Sequence, residues 1–215
     1  MKYINIHTHT FKKEENVISI TNIKISDIIN TQYKNTFSIG IHPWEINTIT
    51  EDVIETLKSL KKIENLLAIG ECGIDKIKNQ DIEIQKKIFS IHINKSEELG
   101  IPLIIHNVKA TNEIIELHKI HKPQSKWIIH GFNKNSILAK EFTKRGIYIS
   151  IGGNILNNRK LQENLKDIDL EYLFLENDDS DISIIEIYSC VAKILDLSMD
   201  NLKLIIFDNY RRCFK

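Results

Sequence analysis

Near the start of the chain, two histidines separated by one residue, His7-Thr8-His9, close the alternating run Tyr3-Ile4-Asn5-Ile6. Side chains of an extended strand alternate between faces, so residues two apart point the same way. His7 and His9 are thus delivered side by side, which is half of a metal site. A His-x-His pair also arises by chance, and its weight depends on further ligands at equivalent places. The chain supplies them. Other short β-branched runs end Ile41-His42-Pro43-Trp44, Gly70-Glu71-Cys72-Gly73, Ile105-His106-Asn107, Ile129-His130-Gly131-Phe132 and Leu175-Glu176-Asn177-Asp178. Histidines and two or more carboxylates converging at these strand ends are enough for two metal ions.

Taken singly, each residue has a plainer reading. One buried histidine at a strand end is commonly a hydrogen-bonded core residue, and Glu71 alone is explained by a structural ion pair. Six such residues at repeated strand ends are harder to explain that way, because buried charge is costly unless paired or metal-bound. Other groups read as structural. His92 and His118 sit beside apolar positions in helical stretches, and His121 lies near a helix C-terminus where a cation is favoured. Cys72 should face away from Glu71 as a buried, inert thiol. Lys12, Lys13 and the cluster from Lys58 to Lys62 read as solvated surface.

The elements that must position these residues alternate along the chain. Strand-like runs are Tyr3–Ile6, Val17–Ile20, Thr36–Ile41, Leu66–Ile69, Pro102–Ile105, Trp127–Ile129, Ile147–Ile151 and Tyr172–Leu175. Several are apolar almost throughout, as strands covered on both faces are. Amphipathic stretches lie between them. Gln80–Leu99 places Ile84, Ile88 and Ile91 on one face and is stopped by Gly100 and Pro102. Ile182–Leu195 presents Ile184, Tyr188, Val191 and Leu195. The last stretch has Ser198 as N-cap, Asp200 in its first turn, and Arg211 and Arg212 in its last. Such alternation predicts a parallel sheet, and about eight strands predict an α/β fold, the (β/α)8 TIM-type barrel in compact form. Active sites of that fold form at the C-terminal strand ends, where the ligand-type residues fall. The second strand is the weakest element, with no convincing helix behind it.

With 215 residues and no linker or internal repeat, the chain is expected to form a single domain over 1–215. Lys and Arg together balance Asp and Glu at 29 each, so no global charge draws it to nucleic acid, and such binding needs a local basic patch. Cys72, Cys190 and Cys213 are odd in number and widely spaced, which argues against a disulfide framework and suits a reducing cytoplasm. A basic-then-apolar leader and a membrane-length apolar run are both absent from the sequence, so a cytoplasmic protein is expected.

In their order, these pieces resemble the TatD family of metal-dependent hydrolases, within the amidohydrolase-like superfamily. The matching segments are Asn5 to His9, Gly40 to Pro43, Ala68 to Asp75, Gln85 with Phe89, Ile101 to His106, Ile129 to Phe132, Leu175 to Asp178, and Asn209 to Phe214. The resemblance covers nearly the whole chain and is closest to compact bacterial members. It implies a dinuclear site, with His7, His9 and Asp178 on one metal, Glu71 bridging both, and His106 and His130 on the second. It also implies action on phosphodiester bonds, commonly as a DNase of 3′-exonuclease type. The chain differs from the usual pattern in having Asn177 where Thr is common and Trp44 where a second His often follows His-Pro. Asn107-Val108-Lys109 replaces the segment that commonly carries an arginine.

Histidine and carboxylate ligands suit zinc, manganese or iron, with magnesium accommodated where oxygens and waters dominate. Two divalent ions (Mg, Mn or Zn) roughly 3.5–4 Å apart would activate water and clamp the oxygens of a displacement at phosphorus. Asp178, beyond its ligand role, is expected to accept or orient a proton of the attacking water, so Glu71 and Asp178 are the candidate catalytic carboxylates. His42 is expected to meet a phosphate oxygen, and Trp44 either to stack on a base or to pack the loop. DNA is the expected substrate and partner, with no membrane association and with oligomeric state open, a monomer being sufficient. Two alternatives stay open: a hydrolase of amide, lactone or aminoacyl-ester bonds, and a non-catalytic binding protein.

Overall fold

The β-branched runs form strands and the amphipathic stretches form helices, as residue type and period dictate. The computed structural model describes residues 1–11, 14–30, 35–78 and 81–214; Lys12, Lys13 and Gln80 lie outside the described residues. The order is β1 (Tyr3–Thr8), β2 (Val17–Lys24), β3 (Phe37–Gly40), α1 (Glu51–Ser59), β4 (Leu66–Asp75), α2 (Ile82–Leu99), β5 (Leu103–Val108), α3 (Thr111–His121), β6 (Trp127–Ile129), α4 (Ser136–Thr143), β7 (Tyr148–Ile151), α5 (Arg159–Leu165), β8 (Leu173–Leu175), α6 (Ile184–Leu195) and α7 (Met199–Phe214). The strands follow one another in sequence order, and the fold is the TIM-type (β/α)8 barrel. Behind β2, among the described residues, stands the short 3-10 segment Ile25–Asn30. By packing, the chain divides into two units, Met1–Thr21 with Ile128–Lys215, and Asn22–Trp127.

In the first unit, β1 pairs in parallel with β2 (Ile4 with Ile18), β6 with β7 (Ile129 with Ile149), and β7 with β8 (Ser150 with Phe174). Ile4, Ile6, Ile149, Ile151, Leu173 and Leu175 are fully buried, a core built from strands covered on both faces. Two polar side chains on helices hold the strands from behind. The buried Tyr188 hydroxyl of α6 accepts from the Ile4 amide and donates to the Ile4 carbonyl, both at 3.1 Å. Asn209 of α7 donates to the carbonyls of Leu170 and Leu173 at 2.7 Å each, fixing the start of β8. Ser198 caps α7 by accepting from the Asn201 amide.

In the second unit, β4 pairs with β3 and β5. β4 runs ten residues to Asp75 and β5 runs to Val108. Glu71 and His106 therefore lie inside strands and not at their ends, a correction to the expectation from run length. The reason is local. Gly70 and Gly73 have φ of +135° and +139°, which favours glycine, and a Cβ at either would collide with the carbonyl oxygen of Ile104 or His106. Without side chains there, β4 and β5 stay paired past the apolar run.

Helix α2 also departs from expectation. Its buried residues are Gln85, Ile88, Phe89, His92, Ile93, Lys95 and Ser96, while Ile84 is 45% exposed. The buried face is rotated from the isoleucine stripe because Gln85 and His92, seven residues apart, spend polar groups on the backbone of Asp75 in β4 and on the Ile41 amide just past β3. Gly100 ends the helix at φ +63° in the left-handed region.

Candidate metal centre

In the first unit, His7 closes on a carboxylate from the far end of the sequence. The Asp178 amide donates to the His7 carbonyl at 3.1 Å and the His9 amide to the Asp178 carbonyl at 3.2 Å, so the chain after β8 pairs with the end of β1. Asp178 takes φ +54°, a conformation Asp tolerates better than most residues. Its Oδ1 then lies 3.3 Å from His7 Nε2 and 3.4 Å from His9 Nε2. Burial raises the Asp178 carboxyl, but hydrogen bonds from His7 and His9, with the charges of His7 and His130, outweigh it and hold the group well below the ordinary range. Asn177, at the position where the family commonly has Thr, is clamped to β1. Asn5 Nδ2 donates to Asn177 Oδ1 at 2.8 Å, and the Asn177 amide donates to Asn5 Oδ1 at 3.2 Å.

His130 follows β6, its ring 4.5 Å from that of His7 and its Nδ1 3.4 Å from Glu176 Oε1. Glu176 is fully buried, and its Oε1 also accepts from the Gly131 amide at 2.6 Å. Its other oxygen, Oε2, is buried without a hydrogen-bond partner among the described residues.

In the second unit, Glu71 Oε1 lies 2.8 Å from His106 Nδ1 and 3.0 Å from His42 Nε2. Each member has its own support. Asn22 Oδ1 accepts from the Glu71 amide at 2.6 Å. His92 Nε2 accepts from the Ile41 amide at 2.9 Å while its Nδ1 donates to the Ile88 carbonyl at 2.8 Å, presenting His42 at the end of β3. Burial holds the His92 ring neutral, with a pKa down to about 4. His42 Nδ1 accepts from the Trp44 amide at 3.1 Å, so in the neutral ring the proton sits on Nε2, toward Glu71. Gln85 Oε1 accepts from the Asp75 amide and its Nε2 donates to the Asp75 carbonyl. Cys72 is buried, and burial, then the Glu71 charge, pushes its thiol up, as an inert core cysteine requires.

Three groups have ligand atoms all within 4.8 Å of one another inside a unit: His7, His9 and Asp178; His130, Glu176 and Asp178; and His42, Glu71 and His106. The orphaned Glu176 Oε2 supports their suitability for cations, because a buried carboxylate oxygen without a partner is costly and a divalent ion relieves that cost. The donor set, imidazole and carboxylate, fits divalent first-row metals. Of the sequence-selected residues, the first unit brings together His7, His9, His130 and Asp178, and the second brings together His42, Glu71 and His106. Trp44 sits beside His42, with ring centroids 4.8 Å apart, and is 52% exposed. Glu176, Asp75, Asn22, Gln85 and His92 were not selected as site residues. Glu176 carried a signal, as an acidic residue directly after a strand. Gln85 carried one only through the family match it shares with Phe89, and His92 carried none, since its role depends on which strand the helix covers.

The family model for TatD related DNase matches residues 5–215. The chain belongs to the TatD family of metal-dependent hydrolases. Among relatives, the uncharacterized metal-dependent hydrolase YabD of Bacillus subtilis is 32% identical over 145 residues, which are 66% of this chain and 57% of that protein. The 3′-5′ ssDNA/RNA exonuclease TatD of Erwinia tasmaniensis is 29% identical over 144 residues, 65% of this chain and 56% of that protein. In both cases the TatD match spans little more than half of the relative's length. The crystal structure of the TatD homologue YjjV from Escherichia coli has the same fold, with a TM-score of 0.84 at 17% identity, covering 99% of this chain and 97% of that one.

Proposed function

We propose that the chain is a metal-dependent phosphodiesterase that degrades single-stranded nucleic acid, DNA foremost, from the 3′ end, with residues 1–215 acting as one hydrolase domain in the cytoplasm. The observation that carries the reading is the convergence of His7 and His9 on Asp178 in one unit and of His42 and His106 on Glu71 in the other. Its support toward nucleic acid is membership of a family of ester-bond hydrolases that includes a relative named for exonuclease activity. No helix among the described residues is long and apolar enough to cross a membrane.

His7, His9, His130 and Asp178 of the first unit, and Glu71 and His106 of the second, are the residues that would hold divalent ions. When bound, such ions lower the pKa of water toward neutrality and neutralise charge on a phosphodiester. Asp178, held ionised by its histidines, would accept a hydrogen bond from the attacking water and orient it, or take its proton. His42, its Nε2–H toward Glu71 Oε1, would exchange that contact for a phosphate oxygen when substrate binds. Trp44 offers a half-exposed ring beside it for a base, a contact worth about 1–3 kcal/mol.

The test is degradation of 3′-labelled single-stranded DNA by purified protein with magnesium or manganese, with chelator, and with Glu71→Gln as control. Metal-dependent loss of label that vanishes in the variant is the expected result. Intact substrate with metal-loaded protein overturns the nuclease reading and redirects assays to small phosphodiesters and carboxyl esters.

A further inference from the structure

Asp75 has no place in the ligand sets above, yet it is 3% exposed and its two oxygens are divided between distinct tasks. Oδ1 accepts from the amides of Ile77 and Lys78 at 2.8 and 3.4 Å, which shapes the turn after β4. Oδ2 faces the site. It accepts from the indole Nε1 of Trp44 at 2.6 Å and lies 3.3 Å from His106 Nε2. His106 thus stands between two carboxylates, with Nδ1 toward Glu71 and Nε2 toward Asp75. An imidazole that ligates through one nitrogen carries its proton on the other, and a carboxylate receiving that proton fixes ring orientation and tautomer.

We infer that Asp75 is the positioning residue of His106, holding Nε2–H so that Nδ1 is offered to a divalent cation beside Glu71, and that Trp44 locks Asp75 through its indole N–H. The inference rests on the metal-site reading above. It assigns Trp44 a task separate from base stacking. The indole N–H is committed inward, while Lys78 Nζ lies 4.2 Å over the ring. Gln85, bonded to both backbone groups of Asp75, anchors the arrangement to α2.

The experiment titrates metal-free protein with Mn2+ or Zn2+ by calorimetry and counts retained metal after gel filtration, for the native chain, Asp75→Asn and Trp44→Phe. Asparagine can keep its carbonyl on the Ile77 and Lys78 amides but turns an NH2 toward two donors, so the turn survives while the Oδ2 contacts are lost. Asp75→Asn is expected to weaken metal binding about 10–100-fold. Trp44→Phe keeps an aromatic ring but loses the indole N–H, and is expected to weaken metal binding in the same direction by less. Should Asp75→Asn fail to fold, Trp44→Phe decides alone. Native affinity in the folded variants overturns the positioning role while leaving the metal site standing. Failure of the native chain to bind either metal overturns both.

Discussion

In the first unit the histidine cluster is held by main chain. His7, Thr8 and His9 pair with the backbone of Asp178, and the Asn5–Asn177 clamp adds side-chain bonds along the same seam. In the second unit the cluster is held by side chains reaching in from neighbouring elements: His92 and Gln85 from α2, Asn22 from β2, and Trp44 from the turn after β3. Main-chain pairing depends on conformation and tolerates many side chains. Side-chain support depends on particular residues, and it fails when one is changed. The first unit should therefore keep its geometry through substitutions that disorganise the second.

Glycine substitution gives the largest expected contrast. Gly73→Ala drives a Cβ into the His106 carbonyl at φ +139° and is expected to cost on the order of 4 kcal/mol or more, read as loss of folded protein in circular dichroism. Gly131→Ala in the first unit, at φ +57° with only Glu176 Oε1 at 3.9 Å, should cost about 1–2 kcal/mol. Equal costs would break the comparison.

His92→Leu comes next. It leaves the buried Ile41 amide without its acceptor, for an expected loss of roughly 3 kcal/mol at pH 7.5 by urea denaturation. The loss should shrink with acid. The folded ring stays neutral because burial, opposed by the Ile88 carbonyl, lowers its pKa to about 4, whereas the unfolded ring titrates near 6.5. Protons therefore bind the unfolded chain first. This contribution is complete above about pH 6.5 and drains away as pH falls toward about 4, so native and variant stabilities converge. A gap independent of pH would show that His92 is not held neutral.

Asn5→Ala removes two partly buried hydrogen bonds and should cost about 2 kcal/mol, with Mn2+ affinity within a few-fold of native because backbone pairing still carries Asp178. A collapse of affinity would show that the clamp, and not the main chain, sets the cluster. The smallest effect on the site is expected for Tyr188→Phe, which leaves the buried Ile4 amide without its acceptor and should cost about 1–3 kcal/mol in thermal unfolding with Asp178 undisturbed.

Sequence by itself determined the strand–helix alternation and the residue types of the site. Apolar β-branched runs and capped amphipathic stretches are local patterns, and imidazoles and carboxylates after apolar runs are chemically conspicuous. Those signals located seven of the described side chains in the clusters, namely His7, His9, His42, Glu71, His106, His130 and Asp178. Tertiary structure alone decided the supports. Whether Gln85 and His92 face water or strand backbone depends on the rotation of α2, which its isoleucines misreport because a buried polar group with a partner outcompetes an exposed apolar one only once that partner exists. The reach of β4 past its apolar run was likewise hidden, since two glycines look like breakers until a facing strand makes close approach favourable. Asp75 shows the same division: its charge was legible, but the sharing of its oxygens among a turn, an indole and an imidazole required three segments to meet in space.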